Sequence, residues 1–119
     1  MSDTALAGKR ILVVEDDYLI ATDLARTLQA AGASVVGPAP SVDKALALID
    51  AEMVDAAILD VNLNGDKSFP IAEILHARGI PFLFATGYDC DDIPEAWNGH
   101  PCVMKPMPLE AIAQLVTTH

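Results

Sequence analysis

The sequence predicts an α/β fold in which a five-stranded parallel sheet is doubly wound, with helices on both faces. Three observations support this fold class: five short apolar runs, stretches of helical spacing between them, and glycines where helices should end. The 119 residues are enough to bury a hydrophobic core without disulfides or a structural metal. We therefore treat residues 1–119 as a single domain.

The five apolar runs are continuous rather than alternating, and most are bounded by Gly, Pro or Asp. Continuous runs are typical of strands that are buried on both faces of a parallel sheet. The predicted strands contain residues 11–14, 34–36, 56–59, 81–85 and 102–104.

Between the strands, apolar residues recur every three or four positions, which is the period of an amphipathic helix. The apolar stripes are Ile20, Leu24 and Leu28; Val42, Ala45, Leu46 and Ile49; Ile71, Ile74 and Leu75; and Leu109, Ile112, Ala113 and Val116. A further helix near residues 91–98 should be short or irregular, because Pro94 interrupts it. Gly32, Gly79 and Gly99 follow the first, third and fourth predicted helices, where a left-handed residue often ends a helix.

Right-handed crossovers leave few strand orders for such a chain, and we expect the flavodoxin-like order 2-1-3-4-5. In open parallel sheets the functional crevice lies outside the carboxyl ends of the strands. The first strand ends in Glu15 and Asp16, and the third ends in Asp60. Because these two strands are neighbours in the expected order, the three carboxylates should converge.

Carboxylates at short distance raise one another's pKa unless a cation relieves the repulsion. Their oxygen ligands favour Mg²⁺, which also coordinates phosphate oxygens. Thr86 at the end of the fourth strand offers a hydroxyl donor, and Lys105 at the end of the fifth offers a positive charge to an anion. Asp60 is then the natural nucleophile for forming an aspartyl phosphate. The strand ends together predict a phosphoryl site.

Four motifs resemble the receiver domain of two-component response regulators: ILVVEDD, AAILDVNLNG, FATGY and VMKP. Any one of them is weak, but four in this order and spacing are specific, and the resemblance covers about residues 9–117. The resemblance implies that Asp60 is the phosphoacceptor. It also implies a Mg²⁺ site formed by Glu15, Asp16, Asp60 and the backbone carbonyl of Asn62. The closest similarity is to a subgroup of receivers with FATGY at the fourth strand, which often stand alone.

The same resemblance makes Thr86 the switch hydroxyl and Lys105 the lysine that contacts the phosphoryl group, with a cis peptide bond between Lys105 and Pro106. Typical receivers place a Tyr or Phe three residues before that lysine, where this chain has Cys102. We therefore expect residues 87–92, rather than a rotating aromatic ring, to move when the receiver switches.

A receiver takes a phosphoryl group from a sensor histidine kinase or a histidine phosphotransfer protein. The resemblance thus implies that this chain catalyses only its own phosphorylation and dephosphorylation and is not a turnover enzyme. Because no effector domain follows Thr118, we expect it to act through protein–protein contacts or as a phosphate shuttle or sink. The expected assembly is a monomer or a weak homodimer.

The composition gives 7 Lys and Arg against 17 Asp and Glu, and hence a formal net charge of −10. Acidic residues spread along the chain argue against binding to nucleic acid or to an anionic membrane. No apolar stretch approaches the length of a membrane span, so we expect a cytoplasmic protein. Cys90 and Cys102 fit neither a CxxC redox pair nor paired zinc spacing, so we predict free thiols.

Two alternatives stay open beside the phosphorylated receiver. The first is a pseudo-receiver that keeps the fold as a binding module without being phosphorylated. The second is a small Mg²⁺-dependent phosphatase of the dehalogenase-like superfamily, which uses an Asp nucleophile. Members of that superfamily have an acid/base Asp two residues after the nucleophile, where this chain has Asn62. Residues 60–65 also match the first half of a calcium-binding EF-hand loop, but the twelfth position, Ile71, lacks the required carboxylate.

Overall fold

Five parallel strands form the central sheet in the computed structural model, which describes residues 5–87 and 90–118. In chain order the strands and helices are β1 Arg10–Val14, α1 Tyr18–Ala30, β2 Ser34–Ala39, α2 Val42–Ala51, β3 Ala56–Asp60, β4 Asn62–Leu63, β5 Asp66–Lys67, α3 Phe69–Ala77, β6 Phe82–Thr86, β7 Cys102–Met104 and α4 Leu109–Thr118. The sheet has the order β2-β1-β3-β6-β7, while β4 and β5 form a separate antiparallel hairpin. Since β4 and β5 lie outside the central sheet, β6 and β7 are its fourth and fifth strands, and the predicted order 2-1-3-4-5 is confirmed.

The central strands β3 and β6 are buried along their whole length, as their continuous apolar runs predict. Their parallel register brings the strand ends level with one another. Val14, the last residue of β1, pairs with Leu59 of β3, and Asp60 pairs with Ala85 of β6. This register places the polar residues that end the strands along one edge of the sheet.

Two apolar clusters cover the two faces of the sheet. On one face, Ile49 of α2 and Leu75 of α3 are buried among side chains of the strands. On the other face, Leu28 of α1 and Ile112 of α4 are buried in the second cluster. Because each side chain of this kind contributes roughly 2 kcal/mol on full burial, the two clusters hold the helices to the sheet.

Helices α1 and α2 begin at residues whose side chains satisfy free backbone N–H groups of the first turn. The side chain of Asp17 accepts hydrogen bonds from the backbone N–H groups of Leu19 and Ile20, at 3.0 and 3.2 Å. The hydroxyl of Ser41 caps α2 in the same way. At the other ends, Gly32 and Gly79 have φ angles of 95° and 70°, which confirms the predicted left-handed residues after α1 and α3.

The predicted fourth helix is replaced by two 3-10 turns, Cys90–Asp92 and Glu95–Trp97. Pro94 separates them, because it cannot donate the hydrogen bond that a continuous helix needs. Gly99 does not have the predicted left-handed φ, since no α-helix ends before it. The part of the chain that the structure describes therefore has four α-helices instead of five, and none of these helices is long and apolar enough to cross a membrane.

The prediction of free thiols is wrong, because Cys90 and Cys102 form a disulfide with a Cα–Cα distance of 6.0 Å. That distance lies in the usual range for disulfides. Cys102 lies in β7, next to β6, and Cys90 lies in the first 3-10 turn after β6. The sequence spacing gives no sign of this pairing, because the fold of the chain between the two residues brings them together.

Candidate functional site

The candidate site is a cleft of about 520 Å³ at the edge of the sheet where β1, β3, β6 and β7 end. Its lining includes every site residue predicted from the sequence: Glu15, Asp16, Asp60, Asn62, Thr86 and Lys105. The structure therefore brings together all six side chains in one place. Their roles in phosphoryl transfer stay predictions.

Three carboxylates meet in the cleft. Ligand oxygens of Glu15, Asp16 and Asp60 lie within 4.8 Å of one another, which is the spacing that a single metal ion can bridge. Glu15 and Asp60 are buried, whereas Asp16 is exposed to solvent. Oxygen ligands at this spacing suit a hard cation such as Mg²⁺.

The backbone around Glu15 fixes its position immediately after β1. Its own N–H donates to the carbonyl oxygen of Ala39 at the end of β2, at 3.0 Å. One oxygen of its carboxylate accepts a hydrogen bond from the backbone N–H of Asp17, also at 3.0 Å. The side chain of Asp17 thus caps α1, while its backbone N–H orients the carboxylate of Glu15.

Lys105 supplies the positive charge of the cleft. Its Nζ donates to Oε1 of Glu15 and lies 3.2 Å from Oδ2 of Asp60. The backbone N–H of Lys105 donates to the carbonyl oxygen of Thr86 at 2.7 Å, so the ends of β6 and β7 are joined at the site. The peptide bond between Lys105 and Pro106 is cis, as the resemblance implied.

Burial and charge set the protonation of this cluster. Burial raises the pKa of Glu15 to about 7, and repulsion from Asp60 adds to the effect, although Lys105 and the N–H of Asp17 act in the opposite direction. Burial alone would lower the pKa of Lys105, but its hydrogen bond to Glu15 and its attraction to Asp60 outweigh burial and raise it. Lys105 is therefore charged at neutral pH, while Glu15 exchanges its proton near pH 7.

The β4–β5 hairpin forms one wall of the cleft and was missed from the sequence. The carboxamide oxygen of Asn62 accepts a hydrogen bond from the backbone N–H of Gly65 at 3.2 Å, and the backbone N–H of Asn62 points towards Oδ1 of Asp60 at 3.5 Å. Asn64 and Gly65 have φ angles of 54° and 98°, the left-handed conformations that tight hairpin turns require. The Asn-Gly dipeptide was the available signal for this hairpin.

Thr86 ends β6 and is buried at the cleft. Its position follows from the register, because Asp60 pairs with Ala85 and the next residue along β6 is Thr86. Thr86 also pairs with Met104 of β7, immediately before Lys105. The hydroxyl group and the ammonium group thus reach the cleft from adjacent strands.

Comparison with known proteins agrees with this geometry. The family model for the response regulator receiver domain matches residues 11–117. The transcriptional regulatory protein PdtaR of Mycobacterium tuberculosis is 32% identical over 92 residues, which are 76% of this chain and 45% of that protein. The chain thus spans less than half the length of this curated relative.

Two solved structures are similar over nearly the whole chain. SdrG from Sphingomonas melonis Fr1 is 42% identical, with 95% of each chain covered and a TM-score of 0.79. The BeF3-activated conformation of SdrG, from Pseudomonas melonis Fr1, is also 42% identical, with a TM-score of 0.76 over 93% of this chain and 95% of that one. From the family match and the shared fold, the chain belongs to the response regulator receiver domains of two-component signalling.

Proposed function

We propose that this receiver accepts a phosphoryl group on Asp60 from a phosphohistidine of a sensor kinase or a histidine phosphotransfer protein. The observation that carries the proposal is the meeting of Asp60 with two further carboxylates and Lys105 in one cleft. A single structural ion pair would need one carboxylate, whereas this cleft holds three. The surplus negative charge favours a site that binds a metal ion together with a phosphoryl group.

The residues present fit Mg²⁺. Glu15, Asp16 and Asp60 offer oxygens within 4.8 Å of one another, and we assign the backbone carbonyl of Asn62 as a further ligand. When bound, Mg²⁺ would neutralise part of the charge on the phosphoryl oxygens and so favour the transfer. The raised pKa of Glu15 means that its carboxylate loses a proton when a cation occupies the cleft near neutral pH.

Asp60, Lys105 and Thr86 have different roles in the transfer of the phosphoryl group. A carboxylate oxygen of Asp60 attacks phosphorus, the phosphorus–nitrogen bond to the donor imidazole breaks, and the imidazole nitrogen keeps the electron pair. Lys105, already 3.2 Å from Asp60, stabilises negative charge on a phosphoryl oxygen. Thr86 donates its hydroxyl proton in a hydrogen bond to another phosphoryl oxygen, which links phosphorylation to the end of β6.

On this proposal the chain catalyses its own phosphorylation and dephosphorylation and processes no external substrate. Its signal passes to other proteins through contacts of the receiver or by onward transfer of the phosphoryl group. The 42% identical SdrG has been solved in a BeF3-activated conformation, which supports activation of this receiver by a phosphoryl group.

Intact-mass spectrometry tests the proposal. The protein is incubated with Mg²⁺ and acetyl phosphate, beside two variants, Asp60→Asn and the matched control Asp66→Asn, whose carboxylate is exposed on β5. We expect one phosphoryl adduct in the unchanged protein and in Asp66→Asn, and none in Asp60→Asn. No adduct with acetyl phosphate or with a phosphohistidine donor would contradict the proposal and favour a pseudo-receiver.

A further inference from the structure

The disulfide between Cys90 and Cys102 closes a segment between β6 and β7, the two strands that end at the candidate site. The segment that it closes, residues 90–102, is called here the Cys90–Cys102 loop; its two ends are 12 residues apart in sequence. Both cysteines are half-buried; Cys102 packs against the edge of one apolar cluster, but neither cysteine is among the buried residues that hold the sheet and helices together. A thiolate from solution can therefore reach the bond, and the fold has a core without it.

The disulfide links β7, which leads to Lys105, to the 3-10 turn that follows β6, the strand that ends in Thr86. Cys102 pairs with Phe84 in the sheet, two residues before Thr86, and Lys105 follows Cys102 by three residues. Cys90 begins the first 3-10 turn, four residues after Thr86. Consequently the segment that leaves the site after Thr86 is covalently bound to the neighbouring strand that leads to Lys105.

Aromatic packing holds the part of the Cys90–Cys102 loop that leads to Cys102, independently of the disulfide. The ring of Trp97 lies 6.0 Å from that of Phe82 and 6.4 Å from that of Phe84, between centroids. His100 stacks on Phe82 at 4.1 Å. Loss of the disulfide would release the end of the loop near Thr86 while these aromatic contacts keep the other end in place.

We propose that Cys90 and Cys102 form a reversible dithiol–disulfide pair whose redox state controls how readily the receiver is phosphorylated. The thiolate of an external thiol such as glutathione attacks one sulfur, the protein disulfide breaks to give a mixed disulfide, and the released protein thiolate takes up a proton. A second external thiolate then attacks the external sulfur of the mixed disulfide and displaces the other protein thiolate, which also takes up a proton. In total the protein pair gains two electrons and two protons, and the two external thiols become a disulfide. This inference rests on the proposed function of Asp60.

The position of the disulfide indicates which redox state is phosphorylated more readily. Thr86 must adjust to hydrogen-bond a phosphoryl oxygen, and in the oxidised protein the segment after Thr86 is tied to β7 through Cys90. Reduction removes that tie, so the reduced protein adapts to the phosphoryl group at lower cost. The oxidised form is accordingly the less responsive state.

The test measures thiols and phosphorylation separately on the full chain. Equilibration in glutathione buffers of graded ratio, followed by alkylation and intact-mass analysis, counts the free thiols. The rate of adduct formation with Mg²⁺ and acetyl phosphate is then measured for the oxidised protein, the reduced protein and the variants Cys90→Ser and Cys90→Ser/Cys102→Ser. We expect reduction to raise the rate by about fivefold or more, the lower range for coupling between two sites. Both variants should form the adduct at the rate of the reduced protein, and added reductant should not change that rate.

Each contrary result has a separate meaning. Two thiols that stay free in every glutathione buffer would overturn the inference while leaving the phosphorylation proposal intact. A disulfide that forms but changes the rate by less than about fivefold would overturn the coupling and make the bond purely structural. An adduct missing in both redox states would contradict the proposed function, and the redox control would fall with it.

Discussion

Replacement of Lys105 by Met tests whether the charge cluster of the cleft is balanced by this one side chain. In the folded protein the Lys105 side chain is 17% exposed, and its partners Glu15 and Asp60 are 4% and 10% exposed. Met keeps most of the volume of the side chain but removes the charge. Two buried carboxylates then face each other without the cation that now contacts both.

Breaking a buried ion pair by removing one partner costs about 3–5 kcal/mol, because a buried charge is left uncompensated. Glu15 limits this cost at low pH, since its raised pKa lets it take up a proton and become neutral. We therefore expect Lys105→Met to lower the free energy of unfolding by about 3 kcal/mol near pH 8 in the absence of Mg²⁺. Near pH 5 the loss should be clearly smaller, because Glu15 is then protonated in both proteins.

Urea unfolding followed by circular dichroism provides the assay, and Lys44→Met provides the control because Lys44 is exposed on α2. The control should change the free energy of unfolding by no more than about 0.5 kcal/mol. Added Mg²⁺ should stabilise Lys105→Met more than the unchanged protein, since the cation replaces the lost charge. A Lys105→Met protein as stable as the control near pH 8 would show that Lys105 does not balance the charge of the two carboxylates.

Three further predictions concern Glu15, Gly37 within β2 and the cap of α1. Since the pKa of Glu15 rises from 4.5 in the unfolded chain to about 7 in the metal-free fold, the folded state binds more protons between these values, and stability falls as pH rises through them. The fall in the free energy of unfolding should reach roughly 3 kcal/mol at most and should vanish in Glu15→Gln. The same pH dependence of unfolding in the unchanged protein and in Glu15→Gln would contradict this prediction. Gly37→Ala places a Cβ 2.7 Å from the backbone nitrogen of Ala39, whereas Gly65→Ala, at a similar φ, meets open space. Thermal unfolding should show Gly37→Ala to be less stable than Gly65→Ala by about 1–3 kcal/mol, and equal stability would exclude the clash. Asp17→Ala should cost about 1 kcal/mol in urea unfolding through loss of the cap, and no loss would show that the cap contributes nothing.

The sheet and the site residues could be predicted from the sequence because few physical rules determine them. Continuous apolar runs such as residues 56–59 identify strands buried on both faces, and right-handed crossovers restrict their order. Parallel register then brings the strand ends to one edge of the sheet. Asp60 and Thr86 meet there because Asp60 pairs with Ala85, so the cleft follows from topology alone.

The parts that were missed depend on local geometry that no long-range pattern encodes. The two-residue strands β4 and β5 are too short to show alternation of apolar and polar residues. Their Asn64-Gly65 turn also lies within the segment that matches the first half of a calcium-binding loop, so the dipeptide alone did not predict a hairpin. Pro94 signalled an irregular fourth helix but not the two 3-10 turns that replace it. The pairing of Cys90 with Cys102 depends on the path of the chain between them, which spacing does not reveal. Of residues 87–92, which we expected to move on switching, positions 88–89 lie outside the described residues.

Chemical trapping of the acyl phosphate shows whether Asp60 itself carries the phosphoryl group. The protein is phosphorylated with acetyl phosphate and Mg²⁺, reduced with borohydride, digested and mapped by tandem mass spectrometry. Borohydride converts an aspartyl phosphate into homoserine, so we expect homoserine at position 60 and unmodified aspartate at Asp16 and Asp66. Homoserine at another position, or an adduct that resists borohydride, would contradict it.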